Sequence, residues 1–300
     1  MAAVTRASCG EDAQRERYEL ERTLAARLRS ASRDERRSLY GEVYEELRSR
    51  GGLDVPPSPE DEASERIRLV SILLGPYLRR DAVVLELGAG DGAVARALAS
   101  RVACVYAVEA APPEVAAPPP ANFHALVGDA ASISLPDASI DVAFSIHFIE
   151  HLHPDDAVEH SGEVHRMLRP GGVYVCVTPN RLHGPHDVSR GFDEVASGLH
   201  LVEYTYGEIA DLLGRGGFSR IEALRGIGRP PVRRSLLPLR IAEAWLLALP
   251  PAWRRRTLSL LSRGTLAPFR PLEQVVVVAE RELADGERGA AERSRPSRAA

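Results

Sequence analysis

In the stretch HFIEHLH, residues 147–153, His147, Glu150 and His151 stand at i, i+3 and i+4, so on a helical turn they share one face. The spacing HxxEH is one with which inverted zinc proteases hold their metal. A protease of that kind needs both imidazoles inside a long helix and a third ligand downstream. Here Pro154 follows His153 directly and the motif begins where an apolar run ends, which leaves about one turn of helix. Proteolysis is therefore set aside. Two readings remain: a non-proteolytic metal held by His147, Glu150 and His151, or structural hydrogen bonds from Glu150 and His151 beside a pocket that His147 borders. The second is preferred, and no metal is expected.

A second histidine pair, His183 and His186 in HGPHD, follows an apolar run at a position where open α/β sheets bind ligands. An imidazole titrates near neutrality and suits a general base that takes a proton from a hydroxyl nucleophile. His147, His183 and His186 are the candidate catalytic residues.

The third site is a glycine turn, VLELGAGDGA, with Gly88, Gly90 and Gly92 where a buried strand gives way to a helix. Residues without Cβ let backbone amides approach a ligand, and the helix N-terminus adds partial positive charge. Gly88, Gly90 and Ala93 also satisfy the dinucleotide fingerprint, so the turn alone leaves two cofactor classes open. Glu86 is placed to meet a ligand ammonium, where a pyrophosphate would be repelled. Glu109, about 20 residues beyond the turn, fits a carboxylate that accepts both ribose hydroxyls.

These residues need a scaffold, and from residue 82 short apolar runs alternate with helical stretches, the pattern of a parallel sheet covered on both faces. AVVLEL, VACVYAVE, FHALVGDA, SIDVAFSI, VYVCVTP, FSRIEAL and EQVVVVAE are the expected strands. DDAVEHSGEVHRML is an expected helix stopped by RPGG. Ser32 with Glu35, and Thr205 with Glu208, form capping boxes that open two further helices. Residues 1–62 read as an N-terminal helical arm and linker, 63–281 as the main domain with a helical insertion or lid at 228–272, and 282–300 as a disordered tail.

VLELGAGDG, AVEA, VGDA, DVAFSIHFIEHL, LRPGG and TPNR, in that order, resemble the class I S-adenosylmethionine-dependent methyltransferases over about residues 65–225 and the final VVVVAE strand. The likeness is nearest the branch of ubiquinone-biosynthesis O-methyltransferases and small-molecule methyltransferases. It implies a Rossmann-like α/β fold with a seven-stranded sheet, helices on both faces and the last strand antiparallel. It further implies S-adenosylmethionine as cofactor. Glu86 and the backbone of Gly88, Ala89, Gly90 and Gly92 would hold the methionine portion, Glu109 the ribose, and Asp129 with Ala130 the adenine edge. Ser145 to His147 would border the sulfonium. In the ubiquinone branch the histidine-rich stretch reads ExxEH and goes with a divalent cation. His147 replaces the first acid here, which disfavours magnesium because imidazole suits transition metals better.

Composition narrows the partners. The 300 residues are 44% hydrophobic and 27% charged, with a net charge of -4, so no overall basic field points to nucleic acid. TPN after the fifth strand, not the fourth, argues against a base-methylating enzyme. Three scattered cysteines suggest neither a disulfide framework nor a thiolate zinc site and fit a reducing cytoplasm. No stretch reaches the roughly 18 apolar residues of a membrane span, although 235–263 combines apolar faces with arginine and could touch a membrane interface. The expected activity is methyl transfer, favouring O-methylation of a small molecule. A nicotinamide-dependent oxidoreductase and a non-catalytic methyltransferase-like scaffold are the alternatives.

Overall fold

The computed structural model describes residues 2–50, 59–111, 118–225, 231–262 and 273–283. Among them eight strands form one sheet: β1 (Val83–Leu87), β2 (Cys104–Glu109), β3 (Phe123–Val127), β4 (Ile140–Ile146), β5 (Leu168–Pro179), β6 (Arg220–Arg225), β7 (Val232–Arg234) and β8 (Gln274–Glu280). Their order is β3-β2-β1-β4-β5-β8-β6-β7. β1 to β5 pair in parallel, and β8 runs antiparallel between β5 and β6. The chain steps outward from β1 to β3, then returns to lay β4 on the other side of β1. The crevice beyond the C-terminal ends of β1 and β4 is thus the switch point at which such sheets bind ligands.

The antiparallel final strand matches expectation. The sheet has one strand more than the seven expected, because β7 adds an edge beside β6 inside the segment read as helical. Three residues after a proline pair are too few to show a strand period. β5 starts earlier than VYVCVTP, at Leu168, and its register with β4 shifts between Ile140 and Val142 where RPGG passes.

Helices α1 (Ala2–Ser30), α2 (Arg33–Ser49), α3 (Pro59–Leu74), α4 (Ala93–Ala99), α5 (Pro154–Met167), α6 (Tyr206–Arg215), α7 (Leu237–Ala248) and α8 (Pro251–Ser262) flank the sheet. Strand alternation sorts the core into two layers. Leu85, Leu87, Tyr174, Val275 and Val277 pack with α1, α2, α5 and α6, whereas Val84, Phe144, Val175 and Val278 pack with α3 and α4. Both capping boxes form: Ser32 with Glu35 opens α2, and Thr205 with Glu208 opens α6.

The N-terminal helices share the larger core layer through Leu24, Leu28, Tyr40, Val43 and Leu47. A buried ion pair fixes α2: Arg36 grips Asp156 of α5 with two bonds of 2.7 Å, and the Tyr40 hydroxyl donates to the same carboxylate at 2.8 Å. Bidentate geometry with every charge partnered is the condition under which burying such a pair is tolerated. Most of the expected linker and nearly all of the expected tail lie outside the described residues.

Candidate functional site

A cavity of about 640 Å³ opens at the switch point. Its floor is the glycine turn, where Gly88, Gly90 and Asp91 line it, and Glu109 at the end of β2 stands beside them. Gly88 has φ +68°, and a Cβ there would lie 2.3 Å from the Phe148 ring, so close packing as well as conformation demands glycine. Gly90 has φ +55° and nothing within 4 Å of where a Cβ would be. Its amide donates to Glu109 Oε2 at 2.7 Å, while Glu109 Oε1 accepts from Ala110 at 2.9 Å. The ribose-binding candidate is therefore locked to the turn.

Just beyond β3, the strand next to β2, Asp129 accepts from the Ala131 amide at 2.9 Å and pairs with Arg33 of α2 at 2.8 Å. Ala130 lies beside it, and its carbonyl meets Nδ1 of the buried His160 at 2.8 Å. Burial pushes His160 down to about 4, so it is neutral at pH 7 and donates to that carbonyl. The roof comes from α2, which contributes Arg37, Tyr40 and Tyr44.

A second cavity, of about 620 Å³, lies on the far side of His147. His147, His183, His186 and His200 line it with Arg190 and Gln274. All three catalytic candidates meet here, and His147 borders both cavities. Its φ of +50° is unusual for a residue with a Cβ and turns it out of β4 toward Glu150, whose Oε1 is 3.3 Å from His147 Nδ1. Burial lowers His183, which leaves its imidazole neutral at pH 7. Nε2 of His186 donates to the Asn180 carbonyl at 3.1 Å, which assigns the ring lone pair to Nδ1.

The partition between the cavities holds Glu150, His151 and His200, which could together hold a metal. His151 is driven down to about 4 by burial, with Glu150 opposing. Burial also works to raise Glu150, but His147, His151 and His200 outweigh it and hold the carboxyl below its ordinary value. For His200 burial lowers and the Glu203 hydrogen bond raises, and the rise prevails.

Residues 85–176, about a third of the chain, match the family described as Methyltransferase domain. This segment is a class I methyltransferase domain of the S-adenosylmethionine-dependent kind. A Mycolicibacterium smegmatis protein named "probable S-adenosylmethionine-dependent methyltransferase" is 37% identical over 138 residues, covering 45% of this chain and 51% of that protein. A malonyl-[acyl-carrier protein] O-methyltransferase of Serratia marcescens is 34% identical over 97 residues, 32% of this chain and 37% of that protein. A tRNA N(3)-cytidine methyltransferase of Danio rerio is 28% identical over 120 residues, 35% and 33% of the two chains. The chain thus spans about half the length, or less, of these relatives.

Within the methyltransferase domain not every expected residue reaches the first cavity. Gly88, Gly90, Glu109, Asp129, Ala130 and His147 line it; Ala89 and Gly92 are not among its lining residues. Glu86 alternates onto the α3–α4 side, where its buried carboxylate accepts from the Ala95 amide at 2.8 Å and burial pushes it up to about 8. The idea that it faces a ligand ammonium is corrected: its partner is the first turn of α4. Ser145 is likewise turned away. Fully buried, it bonds Tyr174 at 2.8 Å, and Tyr174 stands 3.5 Å from His160, so Ser145 supports the Ala130 loop from behind.

Of the three residues that a metal, had one been expected, would have used, Glu150 and His151 stay in the ligand group and His200 takes the place of His147. The turn at Ile149–His151 is 3-10, and His147 lies outside it, so the three do not share a helical face. Sequence reasoning did not single out His200, Phe148 or the cavity face of α2. Spacing along the chain carries no signal for a ligand supplied by a distant loop.

Proposed function

We propose that the first cavity holds S-adenosylmethionine and that the chain methylates an acceptor held in the second, with an oxygen nucleophile of a small molecule favoured. The observation that carries this is His147: it closes the end of β4 and borders both spaces. The cofactor fits the residues present, since Gly90 leaves open space where a side chain would intrude and the carboxylates of Glu109 and Asp129 line the cavity from the ends of the neighbouring strands β2 and β3. When bound, S-adenosylmethionine supplies a methyl on a positively charged sulfur, so the acceptor needs in-line alignment and loss of its proton. His183 and His186 are placed to take that proton, His183 being neutral at pH 7.

The O-methyltransferase relative agrees with an oxygen acceptor and the cytidine methyltransferase does not, so the preference rests on the histidines. No helix among the described residues is long and apolar enough to cross a membrane. α7 does expose Leu237, Ile241 and Trp245 at i, i+4 and i+8, and α8 exposes Trp253, which favours the interfacial contact expected of 235–263. We also take the protein to be cytoplasmic.

Calorimetry tests the reading. S-adenosylhomocysteine binds in the micromolar range and NADH does not. NADH binding alone would replace the reading with the oxidoreductase, and binding of neither would favour the scaffold.

A further inference from the structure

Glu150, His151 and His200 converge in the wall between the cavities, with one donor atom of each within 4.8 Å of the other two. Glu150 is fully buried. Its Oε2 accepts from the Thr178 hydroxyl at 2.9 Å, whereas its Oε1 makes no well-formed hydrogen bond and has only Nδ1 of His147 at 3.3 Å beside it. A buried carboxylate oxygen met only by one long imidazole contact has capacity left to meet a cation, and the three converging donor atoms supply the place for one.

The imidazoles are prepared in a matching way. Nδ1 of His151 lies 3.0 Å from the Leu199 carbonyl, which can only accept, so the proton is on Nδ1 and Nε2 carries the lone pair. Nδ1 of His200 meets the Glu203 carboxylate at 2.9 Å, which leaves Nε2 as the nitrogen to face a cation, with any proton on it released on binding. Metal-bound histidines almost always hand their second N–H to a carbonyl or carboxylate, and here both partners are in place. Glu203 is itself fixed, accepting from the His186 amide at 2.6 Å. The Val202 amide bonds the Glu150 carbonyl at 3.2 Å, which ties the His200 loop to the turn carrying the other two ligands.

We propose that Glu150, His151 and His200 bind a divalent transition-metal cation in the partition between the two cavities. Two imidazoles and one carboxylate suit zinc or a similar cation over magnesium or calcium, and three protein ligands leave a coordination position open. Ligands of a tetrahedral zinc stand roughly 3.4 Å apart, so small side-chain rotations close the group. His151 borders the first cavity and His200 the second, which lets the open position face an oxygen of the acceptor. A cation there would lower the pKa of an acceptor hydroxyl and aid the proton removal assigned to His183 and His186. That role rests on the methyl-transfer reading, whereas binding of the metal does not.

The test uses the full chain, purified without a histidine tag and stripped with chelator. Zinc is titrated by calorimetry and cobalt(II) by visible absorption, with S-adenosylhomocysteine titrated in parallel. One equivalent of zinc and an intense cobalt spectrum of a low-coordinate site are expected. Glu203→Gln weakens zinc roughly 10–100-fold, His200→Ala weakens it further, and His183→Ala leaves it unchanged. A chain that binds S-adenosylhomocysteine but no zinc overturns the site, as does zinc held equally well by folded His200→Ala. Zinc bound without S-adenosylhomocysteine keeps the site and removes only its role toward the acceptor.

Discussion

Replacing Gly90 by alanine separates ligand contact from folding. The backbone at φ +55° is left-handed, a conformation that costs an L-residue about 1–2 kcal/mol, partly offset by the smaller entropy of an unfolded chain with alanine. No atom lies within 4 Å of the new Cβ, so no clash adds to that cost. The expected loss is about 1 kcal/mol, or about 2–4 °C in Tm for a chain of this size. The methyl instead enters the space assigned to the cofactor. Overpacking there costs about 1–3 kcal/mol, which weakens S-adenosylhomocysteine roughly 5–150-fold. Gly88→Ala is the contrast: its Cβ collides with Phe148 whether or not a ligand is bound, so stability falls first. Differential scanning calorimetry and ligand titration on both variants decide the matter. A Gly90→Ala protein with wild-type affinity would refute the assignment of this turn to the cofactor.

Asp156→Ala leaves Arg36 as a buried charge without its carboxylate and should cost about 3–5 kcal/mol in urea unfolding; a loss below about 1 kcal/mol would show that the pair does not anchor α2. Burial raises Asp156, but Arg36 and Tyr40 prevail and hold it below its ordinary value, so its stabilisation is present above about pH 4 and disappears as pH falls further. Asp156→Ala should not show that part of the acid loss. Glu86 has the opposite sign. Raised from 4.5 to about 8, it keeps its proton in the folded state, so its contribution declines as pH rises between those values. Glu86→Gln should gain up to about 5 kcal/mol on the wild type between pH 4.5 and 8, and parallel pH profiles would contradict this. Trp245 and Trp253 are the chain's two tryptophans and both are exposed, so anionic vesicles should shift their emission to the blue while neutral vesicles do not. No shift with either would remove the interfacial contact.

What the sequence makes legible here is whatever repeats locally. The period-2 and helical runs place β1 to β6, β8 and the flanking helices, and both capping boxes are readable from two residues each. The glycine turn with Glu109, and Asp129 with Ala130, appear in the cavity because each sits at the C-terminal end of a parallel strand. Glu86 and Ser145 were misplaced for one reason. Strand alternation says that neighbours face opposite sides, but not which side meets the ligand, and both residues turned to helices and side chains behind the turn. His200 and the roof from α2 depend on where a loop and an arm fold back. Neither is encoded in any spacing within its own segment.

The most direct measurement of the central claim is a crystal structure of the chain with S-adenosylhomocysteine. The account predicts adenine beside Asp129 and Ala130, ribose hydroxyls on Glu109, and the sulfur near His147 with its vacated methyl position open toward His183 and His186. A ligand seated elsewhere, or a sulfur facing away from the second cavity, would contradict it.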